Sequence, residues 1–136
     1  TKGYYKMPNA KSNKNAIAEE SIKLLKENRH IIKLNGKEYV THQGLVWLAH
    51  VRGVESIESE LVDSQLKEGF YLFKATASGE RGTFSAHGDA TPRNVGAAVK
   101  PHLVRMAETR AISRALRLYC GVGITSKEEL DMQDVG

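Results

Sequence analysis

Residues 70–89 read FYLFKATASGERGTFSAHGD, and this stretch decides the fold class. Its first part, residues 70–78, is dense in aromatic and β-branched side chains, which favour β-strands. Residues 79–82 are typical of a turn, and residues 83–89 predict a further strand. Residues 54–63 also have an extended pattern, so the sequence predicts an antiparallel three-strand meander.

The segment after the meander predicts one long helix. Residues 101–120 carry apolar side chains at helical spacing, begin with Pro101, and are followed by Gly121 and Gly123. One side of this helix carries small residues that would let it approach a sheet closely, namely Ala107, Ala111 and Ala115. We therefore expect the helix to lie over the meander.

Upstream of the meander, Asn35-Gly36 predicts a β-hairpin. Asparagine and glycine readily adopt the positive φ values of a type I′ turn. The flanking residues 31–34 and 37–40 supply the two short strands.

Three further helices are indicated by local signals. Residues 16–29 and 41–52 have helical patterns, and Gly53 is suited to the C-terminal end of the second one. A short third helix is expected after the meander. The predicted start signals, in chain order, are Asn13 or Asn15, Thr41, and Thr91 followed by Pro92.

The predicted fold class is α+β, because strands grouped before a helix and joined by short turns argue against an alternating parallel sheet. The order is an N-terminal helix and β-hairpin, a helix, the antiparallel three-strand meander, and a long helix packed on the sheet, which gives a β-β-β-α core. We expect a flexible basic arm at residues 1–15, a single domain at 16–125, and a solvated acidic tail at 126–136. Ser126 with Glu129 could cap one further turn in that tail.

Composition is that of an ordinary globular protein. The 136 residues correspond to about one domain, with 40% hydrophobic and 26% charged residues. The single Cys120 excludes an internal disulfide and a cysteine-based zinc site. Neither a membrane-spanning run nor a signal peptide is recognisable, so we expect an intracellular protein, cytoplasmic or in the nucleoid or nucleus.

Basic residues are concentrated in two segments. The formal net charge is only +4, from 20 Lys and Arg against 16 Asp and Glu. Residues 1–37 nevertheless hold nine Lys and Arg, and His30, against three Glu. Residues 93–117 hold six basic residues and the single acid Glu108. This distribution indicates a polarised surface, although solvated charged faces would produce it equally well.

Three arginines form a stripe along the long helix. Arg110, Arg114 and Arg117 stand at i, i+4 and i+7, which places them on one face. No acidic residue of the helix shares that face, so either carboxylates from another element or phosphates must neutralise the stripe. Arginine binds phosphate in a bidentate manner and stacks on bases. Arg105 and Glu108 project near the apolar side, either as an ion pair at the core edge or as part of a subunit interface.

Catalytic and metal-binding patterns are not recognisable in the sequence. The five histidines lack HxH or HExxH spacing, and the glycines form no P-loop or GxGxxG pattern. Ser and Cys show no nucleophile elbow. Asp89 has no second carboxylate nearby for two-metal phosphoryl chemistry. We predict no catalytic residue, metal site or cofactor, and a small nuclease is the main enzymatic alternative.

Three segments resemble the Rad-fifty-two family of single-strand annealing proteins. Residues 39–50, YVTHQGLVWLAH, are similar to the family's strand-then-helix opening, and residues 70–89 to its strand pair. Residues 107–117, AETRAISRALR, resemble its signature helix, which ends in Arg-Ala-Leu-Arg before a glycine-containing turn. The resemblance covers roughly residues 37–123.

The resemblance implies a β-β-β-α core, assembly into a ring or open multimer, and single-stranded DNA held in a basic groove for ATP-independent pairing with its complement. Arg114 and Arg117 match basic residues of the family's inner groove, and Arg105 matches a further helix lysine. Two positions depart from the pattern: Ser113 stands where a lysine is expected, and Gly44 where a basic residue is expected. Arg110 offers a replacement.

The sequence thus predicts a homo-oligomer that binds single-stranded DNA and anneals complementary strands in homologous recombination or DNA repair. A single-strand-binding protein or an exonuclease is a candidate partner. A non-annealing RNA- or DNA-binding module and a protein-interaction scaffold are the alternatives. The predicted DNA-binding residues are Arg105, Arg110, Arg114, Arg117, Lys100, Arg93, Lys37 and Lys74.

Overall fold

The computed structural model describes residues 10–130, and side-chain environments from residue 17 onward. It confirms the predicted α+β class and the order of the main elements. The helices and strands are α1 (Ala10–Glu27), β1 (Ile31–Leu34), β2 (Lys37–Val40), α2 (His42–Val51), β3 (Val54–Gln65), β4 (Phe70–Gly79), β5 (Gly82–Ala90) and α3 (Leu103–Cys120). Single 3-10 turns at Lys100–His102 and Lys127–Glu129 flank α3.

The β1–β2 hairpin has the predicted turn. Asn35 and Gly36 have φ values of 51° and 79°, which are those of a type I′ turn. The strands pair antiparallel, with Ile31 opposite Val40. The next element is also as predicted, because Thr41 Oγ1 accepts a hydrogen bond from the Gly44 amide at 2.9 Å and so caps α2.

Helix α1 begins at Ala10, six residues before the predicted start at residue 16. Asn13 and Asn15 therefore lie inside the helix and do not cap it, and residues 10–15 are not part of an arm. Asparagine lowers helix stability by only a few tenths of a kcal/mol relative to average residues, so it is tolerated inside a helix and is a weak signal for a helix start. The rest of the predicted arm, residues 1–9, lies outside the described residues.

The meander forms an antiparallel sheet in the order β3-β4-β5, and α3 packs on one face of it. Side chains of β4 alternate between faces, and Phe73, Ala75 and Ala77 are buried beneath α3. The helix approaches β5 closely at Gly88, where a Cβ atom would lie 2.3 Å from the Ala111 nitrogen. The predicted close approach of helix and sheet is therefore observed, with the alanines of α3 fully buried.

The short helix predicted after Thr91-Pro92 is absent, and a hydrogen-bonded turn replaces it. Thr91 Oγ1 accepts from the amides of Arg93 and Asn94, while Asn94 Oδ1 accepts from the Thr91 amide at 2.8 Å. Such side-chain bonds to neighbouring backbone compete with helix formation. Thr91 therefore does accept hydrogen bonds from the following amides, as a helix cap would, but the chain forms one turn there and no helix.

The segment that follows α3 is part of the fold, which corrects the predicted solvated tail beginning at residue 126. Ser126 and Glu129 are both buried, with 0% and 5% of their surface exposed. They form the capping box that the sequence allowed, and Ser126 pairs with Val40 in an isolated parallel bridge. The ordered region therefore extends to Leu130 at least, and the predicted tail residues 131–136 lie outside the described part of the chain.

Candidate nucleic-acid interface

The three arginines of the α3 stripe have different environments. Arg110 is only 7% exposed. Its guanidinium donates to the backbone oxygens of Glu129, Asp89 and Asn94 at 2.8, 2.9 and 3.0 Å, and to Asn94 Oδ1 at 3.1 Å. This placement differs from the predicted contact with DNA, because the bonds of Arg110 brace the end of β5 and the segments before and after α3. The side chain therefore belongs to the interior.

Arg117 forms a bidentate ion pair. Its Nε and Nη2 donate to the two carboxylate oxygens of Glu129, each at 2.8 Å. The Arg117 side chain is 21% exposed and that of Glu129 only 3%. A fork-to-fork pair of this kind is among the stronger charged hydrogen-bond arrangements in proteins.

Arg114 is the most exposed of the three. Its Nε donates to Glu129 Oε1 at 3.3 Å and its Nη1 to the His87 backbone oxygen at 3.0 Å, yet 40% of the side chain remains exposed. Among residues 10–130 these two acceptors are the hydrogen-bond partners of Arg114, and they place its guanidinium between β5 and the turn that carries Glu129. Of the predicted stripe, Arg114 is therefore the residue best placed to meet a phosphate.

Glu129 is the carboxylate from another element that the sequence left as one of two ways to neutralise the stripe. Burial by itself would raise the pKa of Glu129, but hydrogen bonds from Arg117 and Ser126 hold the pKa below its usual value. The Ser126 amide and hydroxyl donate to Oε2 at 3.0 and 2.8 Å. The only sequence signal for this position was its spacing from Ser126, which predicts a cap and says nothing of the arginines.

The two positions at which the sequence departs from the family that it resembles, residues 113 and 44, are both buried. Ser113 is fully buried and shares a 2.8 Å hydrogen bond with His42 Nδ1, at the start of α2. A Cβ atom at Gly44 would lie 2.4 Å from the Cβ of His30, so α2 has no room for a longer side chain there. The basic residues that the family pattern expects at these positions would not fit this interior.

Lys100 and Arg105 are exposed near the start of α3, where they line a shallow cleft of about 450 Å³ together with Tyr71 and His102. Glu108 is at the edge of this cleft and accepts a 2.6 Å hydrogen bond from Ser59 Oγ of β3. The predicted alternatives for Glu108 were a pair with Arg105 or a subunit contact. The hydrogen bond to the sheet is the contact that the structure shows.

The remaining predicted residues lie elsewhere. Lys74 alternates with the buried Phe73 and Ala75 on β4, so it is on the face of the sheet opposite α3. Arg93 is exposed in the turn after β5, and Lys37 is exposed on the separate β1–β2 hairpin. The structure thus brings together two groups on α3, the stripe around Glu129 and the pair at its start, and does not join the other three residues to either.

Cys120 is buried, and burial raises the pKa of its thiol to about 12 despite the nearby Arg81 and Arg52. Among residues 10–130, no three His, Cys, Asp or Glu side chains are grouped closely enough to hold a metal ion. Within the same residues, no helix combines the length and apolar character needed to cross a membrane.

Comparisons with protein-family models, with curated proteins and with solved structures found no match for the chain.

Proposed function

We propose that this chain binds single-stranded DNA and anneals complementary strands, as a homo-oligomer and without ATP, in homologous recombination or DNA repair. The observation that carries the proposal is the environment of the Arg114 side chain. Its guanidinium is held at two points, by Glu129 and by the His87 backbone oxygen, while 40% of the side chain stays exposed. An arginine fixed in this manner offers N–H donors to a phosphate with little loss of conformational freedom on binding.

A second group of exposed basic residues, Lys100 and Arg105, lies at the start of α3. At about 100° per residue, Arg105 is about 180° around the helix from Arg114, so the two groups face different sides of α3. From Arg105 to Arg117 the helix advances about 18 Å, at about 1.5 Å per residue. A single strand that contacts both groups must therefore pass around α3, from Lys100 and Arg105 to the partly exposed Arg114 and Arg117. Contacts of this kind bind phosphates and leave the base edges open, so that a second strand can pair with the bound one.

Two features of the sheet support assembly. The strands β3 and β5 are the edges of the three-stranded sheet, and unpaired edges are suited to contacts between copies. Strand β3 also exposes Leu61 and Val62, each about half accessible. A heterologous contact repeated between identical copies closes into a ring or continues as an open multimer.

A protein-interaction scaffold is the second candidate. The ion pair between Glu129 and Arg117 is the observation that favours it. This carboxylate already neutralises part of the stripe from within the chain, as expected if the arginines serve structure. The two candidates, and a nucleic-acid-binding module that does not anneal, make different predictions for purified protein.

The test is annealing of two complementary oligonucleotides, one with a fluorophore and one with a quencher, in the absence of ATP. We expect the protein to accelerate annealing and to have a mass well above one 15.0 kDa chain by light scattering. Arg114→Ala should lower the affinity for the single strand by at least about fivefold, the usual effect of losing one phosphate contact. Lys23→Ala, which removes an exposed charge on α1, is the matched control and should have little effect.

Each other outcome identifies an alternative. Binding of the single strand without faster annealing would support the non-annealing module. No binding of the single strand at low salt would reject the proposal and favour the scaffold. A mass of one chain at micromolar concentration would reject assembly.

A further inference from the structure

Glu129 contacts all three arginines of the stripe. Its backbone oxygen accepts from Arg110 Nε, its Oε1 from Arg114 and Arg117, and its Oε2 from Arg117. The residue lies on the turn after α3, not on α3 itself. The Glu129 side chain therefore holds Arg114 and Arg117 from outside the helix, while its backbone oxygen is one of several acceptors around Arg110.

We propose that Glu129 is a positioning residue for nucleic-acid binding: it holds the Arg114 guanidinium in the orientation that a phosphate requires. The inference rests on the proposed function, since it concerns how the same surface binds a single strand. Glu129 itself would touch no nucleotide, because its side chain is 3% exposed.

The bonds around Arg114 support this role. Glu129 Oε1 fixes Nε and the His87 backbone oxygen fixes Nη1, so the plane of the guanidinium is set by two acceptors from different elements. The side chain keeps 40% of its surface exposed, and this exposed part is available to a ligand. Without Glu129, the same side chain would have one anchor and would lose more freedom on binding a phosphate.

The alternative role for a carboxylate among arginines is a mask that a phosphate displaces. Both oxygens of Glu129 are engaged, and Ser126 donates to Oε2 with its amide and its hydroxyl. Displacement would therefore break the capping box and leave buried donors without partners, at a cost for each. These contacts make a fixed support the better account than a movable mask.

The positioning role and the mask role predict opposite changes in the affinity for a single strand when Glu129 is replaced, as in Glu129→Gln. Removal of a negative charge from a surface that binds an anion should tighten binding on electrostatic grounds alone, and loss of a mask should tighten it further. Loss of a positioning residue should weaken binding. The control is Glu128→Gln, which removes the same charge one residue away, where Oε1 accepts from the His42 amide and contacts no arginine of the stripe.

The experiment is a double-mutant cycle with a fluorescent oligothymidylate, measured by anisotropy on wild type, Glu129→Gln, Arg114→Ala and the double variant. Glu129→Gln should weaken binding by about three- to tenfold, the equivalent of ordering one long side chain. In the Arg114→Ala background the same change should weaken binding clearly less than in wild type, because the part of its effect that acts through Arg114 is already lost. Glu128→Gln should bind as well as wild type or slightly better.

Three results would overturn the inference: Glu129→Gln binds more tightly than wild type, it binds equally, or its effect is undiminished without Arg114. Circular dichroism checks that each variant is folded at the assay temperature. If Glu129→Gln is unfolded, Glu129→Asp keeps the charge but shortens the side chain by one methylene, and it should show the same coupling to Arg114. Absence of binding by the wild type would instead reject the proposed function, so the two failures are distinguishable.

Discussion

Arg110 and Arg114 show how one residue type on one helix face can have two roles. They are separated by one helical turn, and helical spacing alone predicted the same role for both. Arg110 is buried because backbone oxygens of Asp89, Asn94 and Glu129 surround its guanidinium, whereas Arg114 keeps a large exposed fraction. Helical spacing predicted the shared face. It could not predict acceptors that belong to segments 16 to 21 residues away.

At the residue scale, we expect Arg110→Ala to destabilise the fold. The change would leave several buried oxygens without a donor, at a cost of about 1–3 kcal/mol for an unsatisfied buried group. Arg105→Ala removes an exposed arginine of the same helix and should change stability by no more than about 0.5 kcal/mol. Urea unfolding of both variants measures the difference. Equal stability of the two would mean that Arg110 does not brace the interior as described.

At the scale of elements, local sequence signals correctly predicted the hairpin and α2. They failed at Thr91, because the same capping signal can begin a helix or close a single turn. Asn35-Gly36 and Thr41 each have a single favoured structure, and both predictions are confirmed. Thr91 gives the same capping signal as Thr41. The residues after it close a turn instead, since Asn94 bonds back to Thr91 and also accepts from Arg110. That second bond is a tertiary contact, which a local pattern does not contain.

The packing of α3 on β5 depends on Gly88. A methyl group at Gly88 would overlap the backbone of α3 at Ala107, Arg110 and Ala111, and backbone yields less readily than the end of a side chain. We expect Gly88→Ala to lower the free energy of unfolding by about 1–3 kcal/mol, the usual cost of overpacking. Gly123→Ala is the matched control, because a Cβ there would have no atom within 4 Å. Thermal melting compares them, and similar melting temperatures would contradict the close approach of helix and sheet.

At the scale of the whole molecule, the packing of α3 on the sheet was predicted better than the placement of basic side chains on the surface. Strand and helix periodicities sufficed for a sheet covered on one side by α3. The eight predicted DNA-binding residues, by contrast, are distributed over both faces of the sheet, the hairpin and the interior. Charge along a chain does not specify which side chains share a surface, and the turn that carries Glu129 appeared solvated because its residues are mostly acidic. The candidate site was therefore predicted in part, as the exposed arginine side chains of α3 and Lys100 in the turn before it.

We propose that the exposed basic residues of α3, Arg114 first among them, bind the phosphates of a single strand. Anisotropy of a labelled oligothymidylate across a salt series tests it most directly, because each phosphate contact releases counterions and makes affinity fall with salt. We predict a steep linear decrease of log affinity with log salt, and a slope smaller by about one unit in Arg114→Ala. An affinity independent of salt, or a slope unchanged in Arg114→Ala, would contradict the account.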